Sequence, residues 1–286
     1  MKNQSIEFLS TYNAEASLKT PQILISTIFK DLVGAKDLAW RLFLRDISAQ
    51  YRQSFLGIFW AFFPPIITSL IFIFLQTRNV ISISDTIVPY PVYVLIGTTL
   101  WQVFSDSLNA PLKTTINAKP YLVKIYFPRE SLILASFFGV LFNVIIKMLI
   151  ITGVLIFFKV QIYVGILLAP FAILVLILLG IFIGTLITPL GMLYSDVSTS
   201  LPIVIQLLFF ATPVVYNFPD KFPFSLLTLI NPVTPVLIAT RNLLTIGHTE
   251  NIIHFLIVAV LTLIGVFLSI IIFRISLPII IEKLGT

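Results

Sequence analysis

The sequence predicts an all-α integral membrane protein with six transmembrane helices, an N-terminal amphipathic interfacial helix, and re-entrant helices between spans 5 and 6. Three observations predict it. Of the 286 residues 58% are hydrophobic and only 10% charged, against roughly a quarter charged in a soluble domain, and mean hydropathy is +1.06. The apolar residues fall in long runs, and about 20 such residues cross the roughly 30 Å hydrocarbon core. One late run is cut short by prolines, which leaves apolar pieces that cannot span.

Residues 1–35 are polar and mixed in charge, without the apolar core of a signal peptide, and are expected in the cytoplasm. Residues 36–55 read as the interfacial helix. At 100° per residue Trp40, Phe43, Leu44, Ile47, Tyr51 and Phe55 share a stripe about 120° wide. Arg41, Arg45 and Arg52 lie within about 40° of one another on its flank, with Asp46 beside Arg45. Such a helix rests in the headgroup plane, aromatics inward and arginines on lipid phosphates. The alternative is a soluble helix packed on another domain.

The transmembrane domain occupies 56–276, with spans at Leu56–Leu75, Pro89–Ala110, Ser131–Phe158, Val164–Leu190, Leu201–Val215 and Ile252–Phe273; residues 277–286 form a cytoplasmic tail. The fifth span is short. It runs into Pro213, Pro219, Pro223, Pro232 and Pro235, between which lie the apolar pieces Phe222–Ile230 and Val233–Ile246. Irregular backbone survives at membrane depth only where protein or water satisfies its amides. These pieces are therefore expected to re-enter from the outer face as two short helices, turning at Asn231 and Pro232, with Tyr216 and Arg241 alongside. A plain external loop is the alternative.

Basic residues set the orientation. Lys2, Lys19, Lys30, Lys36, Arg41, Arg45, Arg52, Lys113, Lys119, Lys124, Arg129, Arg274 and Lys283 fall on one side of the six spans. Arg78, Lys159, Lys221 and Arg241 fall on the other, and Lys147 lies inside span three. The bias places both termini in the cytoplasm.

On that same side, between spans two and three, stands Tyr121-Leu122-Val123-Lys124-Ile125-Tyr126-Phe127-Pro128-Arg129-Glu130. Pro120 suits a first helical position and Pro128 ends the helix after about two turns. A helix so short is not stable alone in water, so its apolar side chains are expected to dock on a partner protein; an ordinary interfacial loop is the alternative.

Other chemistry is poorly supported. There is no cysteine, hence no thiol redox or thiolate metal site. His248 and His254 are spaced to opposite flanks of a helix rather than to one face, and no nucleophile–base or paired-carboxylate pattern suggests an enzyme. No metal, cofactor or nucleic acid is expected. Lys147 is the basic residue deep in a span, where ionisable groups are costly and often functional; it faces either the channel or a neighbouring helix. Trp60, Tyr93 and Trp101, with Phe104, offer either stacking surfaces for sugar rings or ordinary packing and interfacial aromatics.

Taken together, four blocks resemble the permease subunits of ABC-2 type transporters, in the branch that exports O-antigen, capsular or teichoic polysaccharide. They are Arg45-Asp46 with Tyr51-Arg52-Gln53, Leu56-Gly57 and Trp60-Ala61; Leu122 to Glu130; Tyr194 to Val197 with Thr212 to Tyr216; and Asn231 to Pro235 with Arg241. The matches run from about residue 40 to 275. Ser195 stands where the family usually has arginine before the aspartate, so no such pairing is implied for Asp196.

The resemblance implies the ABC-2 (type V exporter-like) fold, with residues 121–130 as the coupling helix. It further implies a homodimeric channel in the bacterial inner membrane, two copies of a separate cytoplasmic ABC ATPase, and a lipid-linked glycan substrate. In keeping with a separate ATPase, the chain has no G-x-x-x-x-G-K-[ST] phosphate loop. An ABC-2 permease for a lipid or drug is the runner-up. An ion-coupled flippase, from a different class, would want charged relays in several spans, where Lys147 is the one identified.

Overall fold

The computed structural model describes residues 31, 33–52, 57–61, 63–81, 86–122, 128–217, 226, 230–249 and 251–285. Among them all regular structure is helical. Helix α1 (Lys36–Arg52) is followed by a 3-10 turn (Gly57–Ala61), α2 (Phe63–Thr77), α3 (Tyr90–Leu122) and α4 (Glu130–Phe157). A second 3-10 turn (Val164–Leu168) leads into α5 (Ala169–Leu193), then α6 (Ser195–Ala211), α7 (Val233–Thr245) and α8 (Ile252–Gly285).

Among the described residues three helices are long and apolar enough to cross a membrane, at Glu130–Phe157, Val164–Leu193 and Ile252–Lys283, while Phe63–Thr77 and Ser195–Ala211 are shorter apolar helices. The predicted first span begins later than expected. At Gly57 the backbone turns with φ +45°, a conformation that suits glycine, and the 3-10 turn precedes the α-helix. The predicted fifth span starts earlier, at Ser195, and ends at Ala211 ahead of Pro213. The stretch expected as a C-terminal tail, 277–286, continues α8 through Pro278 to Gly285.

The largest departure is α3. Its 33 residues continue past Ala110 through Pro111 and Pro120 to Leu122, so Pro120 does not open a new helix, and Tyr121 and Leu122 are the last turn of this one. Packing elsewhere in a bundle makes up for the N–H groups a proline lacks. Thr115 Oγ1 donates to Pro111 O at 2.7 Å and Ser107 Oγ to Val103 O at 2.6 Å, so the hydroxyls near Pro111 are satisfied within the helix.

Helix α3 is the centre of the molecule, packed by α2, α4 and, most extensively, α5. Two glycines one turn apart on α5 let the backbones touch. A Cβ at Gly184 would lie 2.2 Å from Leu108 O, and one at Gly180 would lie 2.5 Å from Ser107 Cβ. This is the small-xxx-small device of membrane helix pairs, where close backbone packing stands in for the missing hydrophobic drive.

Candidate functional site

One face of α3 is polar from Gln102 to Asn117. Gln102, Asp106, Asn109, Lys113 and Asn117 recur at spacings of four, three, four and four, within about 80° of arc at helical periodicity. On α4 the matching face carries Ser136, Asn143 and Lys147. With α1 across the top and Trp60 and Pro64 at one side, these faces enclose a crevice of about 490 Å³. Polar groups on a membrane helix turn toward protein or water, which explains why the stripes face each other. It also explains why α3, though long enough to span, is less uniformly apolar than α4, α5 and α8.

At the wall of the crevice Lys147 Nζ donates to Asp106 Oδ2. The lysine side chain is 1% exposed and the aspartate 32%, and Gln102 Nε2 donates to the other carboxylate oxygen at 2.7 Å. Lys147 is thus held by a neighbouring helix rather than presented to a channel. Asp106, inside the expected second span, escaped the sequence reading. Its signal was the polar spacing from Gln102 to Asn117, which window-averaged hydropathy hides.

The aromatic candidates divide. Trp60 is 53% exposed and borders the crevice. Trp101 is buried, its ring against Phe104 at 5.4 Å and Phe209 at 5.7 Å. Tyr93 is buried beneath the Arg241 guanidinium, 3.8 Å from the ring centroid. The faces of Tyr93 and Trp101 are therefore taken by protein and are not stacking surfaces for a passing sugar.

Arg241, expected in the second of the two short re-entrant helices, is buried in α7 and donates to Pro213 O and Val214 O, both at 3.2 Å. It ties α7 to the chain leaving α6. Around it Tyr93 Oη donates to Tyr216 O at 2.9 Å, Tyr90 Oη to Val215 O at 3.2 Å and Tyr216 Oη to Phe210 O at 2.7 Å. Asn231, also buried, accepts from Val233 N–H at 3.0 Å and donates to Thr212 Oγ1 at 2.7 Å. Pro232 then caps α7, with Pro235 in its first turn. A Cβ at Gly97 would lie 2.1 Å from Val214 O, so α3 is seated directly on this segment. The first expected re-entrant helix lies outside the described residues except for Leu226 and Ile230.

At the opposite end of α3, Tyr121 is half-exposed and stands under the Arg45 guanidinium at 5.3 Å, while Leu122 is buried. Val123, Lys124, Ile125, Tyr126 and Phe127 lie outside the described residues. Beyond them comes Pro128. Then Arg129 Nη1 donates to Arg274 O at 3.4 Å, and Glu130, in the first turn of α4, pairs with Arg274 at 3.0 Å. Arg274 also pairs with Asp31 at 2.6 Å. One arginine of α8 thereby joins the start of α4 to the chain before α1.

On α1, Phe43 is buried against Phe138 and Phe142 of α4, at ring distances of 6.2 Å, so protein rather than headgroups covers that part of the apolar stripe. Trp40 is half-exposed beside Phe43 and Phe138. Arg45 pairs with Asp46 at 2.8 Å and lies over Tyr121, whereas Arg41 and Arg52 are exposed. Tyr51 lies in the last turn of α1.

The model of the ABC-2 type transporter family matches residues 37–245, which takes in α1, α3, the crevice and α7. The chain belongs to the ABC-2 type transporter family. It is similar to the O-antigen export system permease protein RfbA of Myxococcus xanthus, with 22% identity over 213 residues, covering 73% of this chain and 81% of that protein. It is also similar to the O-antigen export system permease protein RfbA of Klebsiella pneumoniae, with 23% identity over 217 residues, covering 71% and 78%. As an ABC-2 permease-type chain it is a transport component with membrane-spanning apolar helices.

Proposed function

We propose that this chain is the channel-forming permease of an ABC exporter that moves a lipid-linked polysaccharide, of the O-antigen, capsular or teichoic class, across the bacterial cytoplasmic membrane. Six spans with both termini cytoplasmic would form half of a homodimeric channel, and ATP would be hydrolysed by two copies of a separate subunit docked at residues 121–130. The match along most of the chain to O-antigen export permeases from two bacteria carries the reading. The carboxamides and carboxylates that line part of the crevice support a polar cargo over a lipid or drug.

The test is deletion and complementation in the source organism, with surface polysaccharide stained on intact cells. The expected result is loss of surface glycan, its accumulation inside, and restoration by the intact gene. Wild-type surface glycan in the deletion strain would overturn the polysaccharide reading in favour of another cargo. Export that collapses with a protonophore while ATP is maintained would favour ion coupling.

A further inference from the structure

We propose that the crevice between α1, α3 and α4 is a binding site for an uncharged sugar ring of the transported glycan. This rests on the polysaccharide reading and adds the place and the chemistry of recognition. A cavity of about 490 Å³ is within the range of small-molecule sites. Two of its polar groups are held in place. Asp106 is fixed by Lys147 and Gln102, yet a third of its side chain remains open. Asn109 commits its Nδ2 to Ser105 O at 2.8 Å, which leaves Oδ1 as an acceptor. Asn117, exposed farther along the same stripe, has both donors and an acceptor.

Sugar hydroxyls donate and accept at neighbouring positions, which suits carboxamides interleaved with a carboxylate. The exposed Trp60 ring supplies the apolar platform that the C–H face of a pyranose needs. Charge offers an anion such as a diphosphate one cation, not a cluster. The two carboxylates in the wall, Asp46 and Asp106, are matched by Arg45 and Lys147, and Lys113 is the sole cation among the lining residues. A nearly neutral wall favours a neutral polyol.

The experiment uses the full permease–ATPase complex in cells that make the polysaccharide, carrying Asn117→p-benzoylphenylalanine. After irradiation the permease is purified and its adducts are probed by periodate oxidation and hydrazide labelling, and by lipid mass spectrometry. The expected adduct at 117 contains periodate-sensitive glycan, and the same probe at position 74, on the exposed face of α2, captures lipid alone. Trp60→Ala with Asn109→Ala should lower the glycan adduct roughly tenfold or more, as loss of a stacking face and a hydrogen bond implies. Phospholipid alone at 117, no glycan adduct, or an adduct undiminished in the double variant would overturn the assignment. If chain deletion still abolishes surface glycan in those cases, only the site fails; if deletion leaves surface glycan intact, the functional reading fails and the site with it.

Discussion

Replacing Asp106 by alanine should be among the most damaging single changes in the transmembrane region. The cost follows from how unequally the ion pair is buried. Lys147 is 1% exposed and Asp106 is 32% exposed. Without the carboxylate, the ammonium stays in the bundle with no counter-charge, and breaking a buried pair from one side costs about 3–5 kcal/mol. The reverse change, Lys147→Met, leaves a carboxylate that still touches the crevice and still receives Gln102 Nε2. It should cost about 1–2 kcal/mol, the scale of one charged hydrogen bond.

Removing both charges together leaves no orphan. The double variant Asp106→Ala/Lys147→Met should therefore cost about 2–3 kcal/mol less than the sum of the singles. Thermal unfolding of purified protein in micelles reads this out. Asp106→Ala should lower Tm on the order of 10 °C, with partial recovery in the double variant. If Asp106→Ala is no worse than Lys147→Met, or if the two effects add, the pair is not the buried, unequal contact described above.

Gly184→Val would set side-chain atoms against Leu108 O, where a Cβ alone lies at 2.2 Å; overpacking of about 3 kcal/mol should appear as loss of folded protein in the membrane fraction, and normal yield would refute close α3–α5 contact. Arg241→Lys removes the planar group that lies over Tyr93 while binding Pro213 and Val214 carbonyls. A loss of about 2 kcal/mol should free α7, detected as faster labelling of a cysteine at position 231, whereas unchanged labelling would show that the arginine does not hold the segment. Tyr126→Ala with Phe127→Ala should leave the permease inserted but strip it from its ATPase, since such anchors often contribute about 2 kcal/mol or more each. Unchanged co-purification and export would remove the docking assignment.

Bulk hydrophobicity made α4, α5 and α8 legible, because each is apolar on nearly all sides and needs no knowledge of its neighbours. Helix α3 was misjudged in length for two reasons. Pro120 has the same sequence appearance at the start of a helix as inside one that bundle packing supports. The polar stripe from Gln102 to Asn117 also dilutes the hydropathy that marks a span. The amphipathic stripe of α1 was visible, yet what covers it was not, since Phe138 and Phe142 of α4 meet Phe43 only through the fold. Lys147 was legible as a costly group, but its partner lies 41 residues away in the chain, and no local pattern joins them. The contacts of Arg241 were equally hidden, because its acceptors are backbone carbonyls that any residue could supply.

A continuous rod of 33 residues measures about 50 Å from end to end. At one end of α3, Tyr90 and Tyr93 grip the carbonyls of residues 215 and 216; at the other, residues 123–127 come next in the sequence after Leu122. Leverage follows from that continuity. With the glycine contacts at Leu108 as fulcrum, a tilt of roughly 5° displaces each end by about 2 Å, in opposite directions, over half of that length. That is comparable to the length of a hydrogen bond. A push on the stretch after Leu122 would then be felt, through Tyr90 and Tyr93, at the carbonyls of residues 215 and 216, next to those that Arg241 holds.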